Sequence, residues 1–150
     1  MNRLGLDIGK KRIGIAISRS PLASNYETLY CKTWTKDISH IAEIVSKENI
    51  DEIVVGLPLN MDGTEGEMAE YVKKFCGMLK SKILANIIYV DERLTSISAD
   101  HIMHDAGVRT SKKKGLIDQV AASLILQSYL DNHKGDLIWK MKKKKRKKSK

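Results

Sequence analysis

At 150 residues the chain suits a single domain of ordinary size, and with 42% hydrophobic residues it can bury a core without disulfide staples. The net charge of +9 is concentrated: nine of the 27 basic residues fall within residues 140–150, and none of the 18 acids does. Residues 1–139 are therefore neutral overall, which excludes reading the high isoelectric point as one broad basic face.

The first eighteen residues alternate. Leu4, Leu6 and Ile8 share one face and Gly5, Asp7 and Gly9 the other; after Lys10, Lys11 and Arg12 the pattern resumes, with Ile13, Ile15 and Ile17 against Gly14, Ala16 and Ser18. Two strands joined by a short glycine-bearing turn predict a hairpin, and residues 27–34 a third strand. Asp37 is expected to cap a helix in which Ile38, Ile41, Ala42 and Val45 recur at helical spacing, to about residue 49. Residues 51–57 form a nearly continuous apolar run, as in a strand buried on both faces. Pro58 ends it, and residues 60–64 have turn chemistry. Met68, Val72, Phe75, Cys76 and Leu79 mark a second helix over 65–82; residues 87–91 are a further buried strand. Thr95 or Ser96 is expected to cap a helix running to Ala106, where Gly107 ends it. Lys112, Lys113 and Lys114 are placed in a loop before a last helix over about 114–132 that carries Ile117, Val120, Ala121, Leu124 and Tyr129.

The order β-β-β-α-β-α-β-α-α predicts an α/β domain: a mixed five-stranded sheet, antiparallel over its first three strands, with helices on both faces. The tail at 140–150 lacks core-forming residues and repels itself, so it is expected to be disordered. Cys31 and Cys76 form no CxxC and read as two free thiols of a reduced compartment. No charged-then-apolar leader precedes the first strand and no stretch reaches the length of a membrane span, so a cytoplasmic location without membrane contact is expected.

Sheets of this kind gather ligands at the carboxyl ends of their parallel strands, and carboxylates stand at those places. Asp7 lies mid-strand between Leu6 and Ile8; Asp91 and Glu92 close the strand Ile87-Ile88-Tyr89-Val90; Asp118 lies between Ile117 and Val120. An ionised carboxylate in such a strand is costly unless paired or bound to a cation. Several converging acids are tolerable around a hard divalent ion, Mg²⁺ or Mn²⁺, whose oxygen-only ligation suits phosphoryl chemistry. Taken singly, each acid has an ordinary explanation: Asp7 as a hydrogen-bonded turn residue, Asp91 and Glu92 as strand-end polar groups, Asp118 as a first-turn acid favoured by the helix dipole.

The residues Leu4-Gly5-Leu6-Asp7-Ile8-Gly9 with Arg12-Ile13-Gly14-Ile15-Ala16 resemble the opening of the YqgF (RuvX) family. Val54-Val55-Gly56-Leu57-Pro58-Leu59-Asn60-Met61-Asp62-Gly63-Thr64 resembles its second signature, Val90-Asp91-Glu92-Arg93-Leu94-Thr95-Ser96 its third, and Asp118 with Ala121-Ala122, Ile125-Leu126 and Tyr129-Leu130 its fourth. The four motifs occur in order between residues 3 and about 131. The resemblance implies an RNase H-like nuclease domain over 1–139, related to RuvC-type Holliday junction resolvases. It implies a nuclease that matures the 5′ end of 16S rRNA from its precursor in ribosome biogenesis, with RNA, and ribosomal particles, as partners. The family's acidic positions carry over to Asp7, the Asp91-Glu92 pair and Asp118. Neighbours on an extended strand face opposite ways, so one of the pair enters the site, and Glu92 is preferred. The implied mechanism has Asp7, Glu92 and Asp118 hold one or two Mg²⁺ (or Mn²⁺) ions that activate a water against the scissile phosphodiester. Arg12 and Arg93 then stand as phosphate clamps or surface ion pairs, the Asn60 loop as a backbone contact or a plain turn, and Lys112, Lys113 and Lys114 as strand guides or a solvated loop. The tail lies outside the family pattern and is expected to bind polyanions.

His101 and His104, three apart on a helix, have no partner motif for zinc and read as polar-face residues. Gly5 to Lys11 lacks the spacing and the Ser/Thr of a P-loop. Aromatic residues are too few for a base-stacking platform, and Trp34 and Trp139 read as packing residues. Three other functions compete with rRNA processing: resolution of branched DNA at the same site, which needs paired subunits; an actin-like or sugar-kinase ATPase, which needs two such domains; and a non-catalytic nucleic-acid-binding module.

Overall fold

The computed structural model describes residues 1–92 and 110–132, the side chains of 110–114 excepted. The expected helix over 95–106, Arg93, His101, His104, Trp139 and the Lys-rich tail lie outside the described residues. The elements are β1 (Arg3–Ile8), β2 (Arg12–Ser18), β3 (Ser24–Tyr30), α1 (Trp34–Lys47), β4 (Glu52–Leu57), α2 (Glu67–Lys80), β5 (Asn86–Asp91) and α3 (Thr110–Asn132). They build one five-stranded sheet in the order β3-β2-β1-β4-β5. β1 pairs antiparallel with β2, and β2 with β3; β1 and β4, and β4 and β5, run parallel. This is the expected mixed sheet with helices on both faces.

Strand alternation gives the two faces different chemistry. On one, Leu4, Leu6, Ile8, Ile13, Ile15, Ile17, Ile53, Val55 and Leu57 pack against α1 (Ile38, Ile41, Ile44, Val45) and α2 (Ala69, Val72, Phe75, Cys76, Leu79) in one buried cluster. Each such side chain contributes about 1.5–3 kcal/mol on burial. On the other, Ala16 and Val54 meet Ala122, Ile125, Leu126, Tyr129 and Leu130 of α3 in a smaller cluster. Here the strands carry glycine where a side chain would hold the helix away. A Cβ on Gly5 would stand 2.7 Å from the Ala122 carbonyl oxygen, one on Gly14 1.9 Å from the Asp118 carbonyl oxygen, and one on Gly56 2.5 Å from Ile125 Cδ1. The α3 backbone thus lies directly on β1 and β2. Its carboxyl-terminal half covers the amino end of β1: Arg3 Cζ is 5.7 Å from the centre of the Tyr129 ring, and Gln127 accepts the Ala23 N–H and donates to the Pro21 carbonyl.

Three boundaries differ from the sequence expectation. Helix α1 begins at Trp34 and is capped by Thr33, whose side chain accepts the Lys36 N–H at 3.2 Å. Asp37 is not the cap: it lies inside the first turn, 2% exposed, and accepts the Lys32 N–H at 3.1 Å. The earlier start removes Trp34 from β3, because its ring packs edge-on against Tyr71 and Phe75, with centroids 5.3 and 5.6 Å apart. β3 accordingly starts three and ends four residues earlier than 27–34, pairing from Arg12↔Tyr30 to Ile17↔Ser24 with a shift of register between Ile15 and Ala16. Helix α3 begins at Thr110, so Lys112, Lys113 and Lys114 lie within a helix rather than in a loop. Lysine is a good helix former, and Gly115 continues the helix where it meets β3, its carbonyl accepting the Thr28 hydroxyl at 2.6 Å.

The glycine contacts make a paired prediction. Gly14→Ala forces Cβ into backbone and is expected to lose about 3 kcal/mol. Gly77→Ala, in α2 with nothing within 4 Å of the new Cβ, is expected to gain about 0.5–1 kcal/mol from helix propensity. Urea denaturation midpoints of the two variants check both signs.

Candidate active site

Because β1, β4 and β5 are parallel, their carboxyl ends share one edge of the sheet. Asp7 stands near that edge on β1, on the face covered by α3. Its antiparallel partner is Gly14. On the other side Leu6 is paired with Val55, so Gly56 follows alongside Asp7. The carboxylate therefore rises between two strands that present no side chain at its level.

Those glycines also bring in the other acids. The missing Cβ of Gly14 is where the Asp118 backbone of α3 sits, and the missing Cβ of Gly56 would be 3.4 Å from Glu92 Cγ. Asp118 lies more than two turns inside α3, which has no acid in its first turn; the dipole explanation for it does not apply. Ile88 and Val90 pack with the α3-side cluster, and Glu92 continues their parity. Asp91 ends β5 opposite Leu57 with the other parity, on the side where Tyr89 meets Cys76 of α2. Alternation thus separates the two neighbours, and Glu92 is the one beside Asp7.

Asp7 feels both of the other carboxylates. Burial pushes the Asp7 carboxyl up to about 9, helped by its hydrogen bond to Glu92 and by the negative charges of Glu92 and Asp118. A side-chain hydrogen bond joins Asp7 to Glu92. Asp118 is neutralised differently: its Oδ2 accepts Arg12 Nε at 2.7 Å in an ion pair whose side chains are 30% (Arg12) and 19% (Asp118) exposed. The guanidinium is held protonated by that carboxylate. As the side chains stand, no three acidic, histidine or cysteine groups among the described residues surround one point at ligating distance. The oxygen-only donor set nevertheless suits a hard divalent cation; a proton and an arginine supply the positive charge that such an ion would bring.

The remaining predicted site residues are placed as follows. Arg12 is the partner of Asp118. Asn60 is engaged in its own loop: its N–H donates to the Thr64 carbonyl at 2.8 Å, its side-chain amide to Thr64 Oγ1 at 3.0 Å, and its carbonyl accepts the Gly63 N–H. Gly63 turns that loop at φ +87°, which a side chain would strain. Lys112, Lys113 and Lys114 fall in the first turns of α3. Sequence reasoning did not find the packing role of Gly5, Gly14 and Gly56; their alternation with isoleucine and leucine was the available signal. Cys31 and Cys76 are free thiols, both pushed up to about 11 chiefly by burial.

Comparison with known proteins bears on this arrangement. A family model described as "RuvX: Holliday junction resolvase" matches residues 1–132. A Clostridium botulinum (strain Hall) protein named "Putative pre-16S rRNA nuclease" is 44% identical over 135 residues, covering 88% of this chain and 98% of that protein. A protein of the same name from Syntrophus aciditrophicus is 42% identical over 133 residues, covering 87% and 89%. Among solved structures, Thermus thermophilus RuvC in complex with a Holliday junction substrate superposes with a TM-score of 0.55 at 15% identity, over 86% of this chain and 94% of that one. The Fowlpox virus resolvase bound to junction DNA gives 0.51 at 15% identity, over 88% and 98%. The fold is the RNase H-like fold of these resolvases.

The acid cluster sets a pH dependence for the metal-free chain. The folded state retains at Asp7 a proton that the unfolded chain releases near its ordinary value of 3.8. Stability is therefore expected to fall as pH rises from about 4 to about 9. Asp7→Asn, whose amide can donate to Glu92, is expected to flatten that slope and raise stability at pH 8 by on the order of 1 kcal/mol. Thermal melts across pH in the presence of a chelator read both effects.

Proposed function

This chain belongs to the RuvX family, and from that premise we propose that it is a metal-dependent nuclease that trims the 5′ end of pre-16S rRNA in ribosome biogenesis. The observation that carries the reading is the convergence of Asp7, Glu92 and Asp118, from the first strand, the end of the last strand and the last described helix, on one glycine-floored edge. Relatives named for pre-16S rRNA cleavage match over most of their length, which supports RNA as the substrate.

Asp7, Glu92 and Asp118 are the residues that would hold Mg²⁺ or Mn²⁺. When bound, the ion supplies Lewis-acid activation of the attacking water and charge stabilisation at the leaving oxygen. The chain's own part is to bring three carboxylates together and, on taking up the ion, to release the proton held on Asp7 to solvent. Asp91, on the other side of β5, is a neighbour of the site rather than a ligand. Arg12, and Arg93 from its neighbourhood to Glu92 in the sequence, serve to bind the phosphates that flank the cut, bidentate recognition being the guanidinium's particular strength. Lys112, Lys113 and Lys114, at the start of the helix that carries Asp118, guide the strand. The loop around Asn60 borders the site, at the carboxyl end of β4.

The nuclease domain spans 1–139, and the Lys-rich segment at 140–150 adds sequence-independent affinity for polyanions. No described helix is long and apolar enough to cross a membrane, and the chain acts in the cytoplasm, on precursor rRNA within ribosomal particles. The family description and the junction-bound fold relatives favour a second reading, cleavage of branched DNA by the same carboxylates.

Incubating the full chain with a single-stranded pre-16S 5′ fragment and with a four-way DNA junction, each with Mg²⁺, Mn²⁺ or chelator, decides between them. Metal-dependent cutting of the RNA, reduced at least 100-fold in Asp7→Asn and in Asp118→Asn, is the expected result; full activity in clean Asp7→Asn protein removes the carboxylates from the chemistry. Deleting residues 140–150 is expected to weaken RNA binding and lessen its dependence on salt, by about 0.7 of a unit of log-log slope for each phosphate no longer neutralised, while the cleavage position stays the same. Filter binding over a salt series and primer extension on the product read the two outcomes.

A further inference from the structure

Arg12 meets Asp118 at an unusual place for a salt bridge. It is the first residue of β2, at the end of the hairpin turn, and its backbone is tied down: its carbonyl accepts the Gly9 N–H at 2.9 Å, and the preceding Lys11 carbonyl accepts the Cys31 N–H at 2.9 Å. Asp118 is equally fixed, since its backbone is pressed onto Gly14. The two roots cannot separate, yet the link between them is a single ion pair, Nε to Oδ2 at 2.7 Å, with the guanidinium 30% exposed. A partly exposed pair of this kind is worth little to the fold. The same carboxylate oxygen is one that a divalent ion in the proposed site would need.

A guanidinium and a divalent cation compete for that oxygen. A divalent ion held by Asp7, Glu92 and Asp118 would repel Arg12 and compete for its acceptor. With its root fixed, the released side chain stays within one side-chain length of the acids, and its five donors then face outward, where a phosphodiester would lie. We propose that Arg12 is a positioning residue that occupies the place of the divalent cation on Asp118 in the metal-free protein and passes to the substrate phosphate when the ion binds. Metal loading and phosphate capture are thereby one exchange: the ion is bound less tightly than the acids alone would allow, and the phosphate is clamped only in the loaded site. The inference rests on the nuclease reading above and adds to it the order in which charge is handed over.

The test uses the full chain, wild type and with Arg12→Gln or Arg12→Lys, titrated calorimetrically with Mn²⁺ alone. Arg12→Gln is expected to bind Mn²⁺ on the order of tenfold more tightly than wild type, and Arg12→Lys, which keeps the charge, to stay near wild type. In a second measurement, Ca²⁺ is expected to tighten binding of a single-stranded RNA oligonucleotide to wild type and to Arg12→Lys, with that gain abolished in Arg12→Gln. Equal or weaker Mn²⁺ affinity in Arg12→Gln, with wild type binding the ion, overturns the exchange and leaves the nuclease reading standing. Absence of Mn²⁺ binding at millimolar concentration in all three proteins overturns both. A melt of each variant in chelator checks folding, and if Arg12→Gln unfolds, an unaltered Ca²⁺ effect on RNA binding in Arg12→Ala overturns the exchange.

Discussion

A helix backbone in van der Waals contact with bare strands is the constraint on which this molecule depends. Helices usually sit on sheets through a layer of side chains, which keeps their polar groups far from the strands beneath. Gly5, Gly14 and Gly56 remove that layer on one face only. The gain is not hydrophobic, since the α3 side is the smaller of the two apolar clusters. The gain is positional. Asp118 on a helix and Asp7 on a strand come into mutual electrostatic range because the register Asp7↔Gly14 sets Asp7 beside the spot that Asp118 covers. The opposite face, with its large apolar side chains and two helices, supplies the stability that lets this face be built for proximity.

Proximity of like charges has a cost, and the molecule carries it in two forms. Asp7, closed in by neighbours, holds on to a proton far above the carboxylate range. Asp118, nearer to solvent, takes a counter-charge from Arg12. Both are reversible ways of neutralising an acid, and both are undone by a cation of higher charge. On the reading proposed above, these are ligands already close together, their charge met for the present by something weaker than a divalent ion.

Much of this was legible in the sequence. The apolar runs at β4 and β5, the glycine hairpin and the helix period of α1 and α2 give the fold class, because burial on two faces and on one face leave different patterns in a chain. The acids were legible because each stands where a charge is costly. What could not be read locally were features set by distant partners. Asp37 looks like a cap because it is the acid before the apolar period, but Thr33 wins because Trp34 is drawn onto Tyr71 and Phe75 of α2. Lys112 to Lys114 look like a loop because the signal of α3 weakens at Gly115, where the helix faces β3 rather than solvent or core. The choice between Asp91 and Glu92 needed only parity, counted from Val90, once it was known which face α3 covers.

The direction in which α3 runs has one more consequence. From Asp118 over Gly14 the helix travels to Tyr129 over Arg3, a path of about 16 Å at 1.5 Å per residue. The chain that leads on to the lysine-rich segment therefore leaves this helix at the pole remote from the carboxylates. On the reading proposed above, that segment works as a tether: it would raise the local concentration of a polyanion around the domain without steering any one bond toward the acids. That reading divides capture and choice of bond between opposite ends of a single helix, so that mutation is expected to alter each with the other left in place.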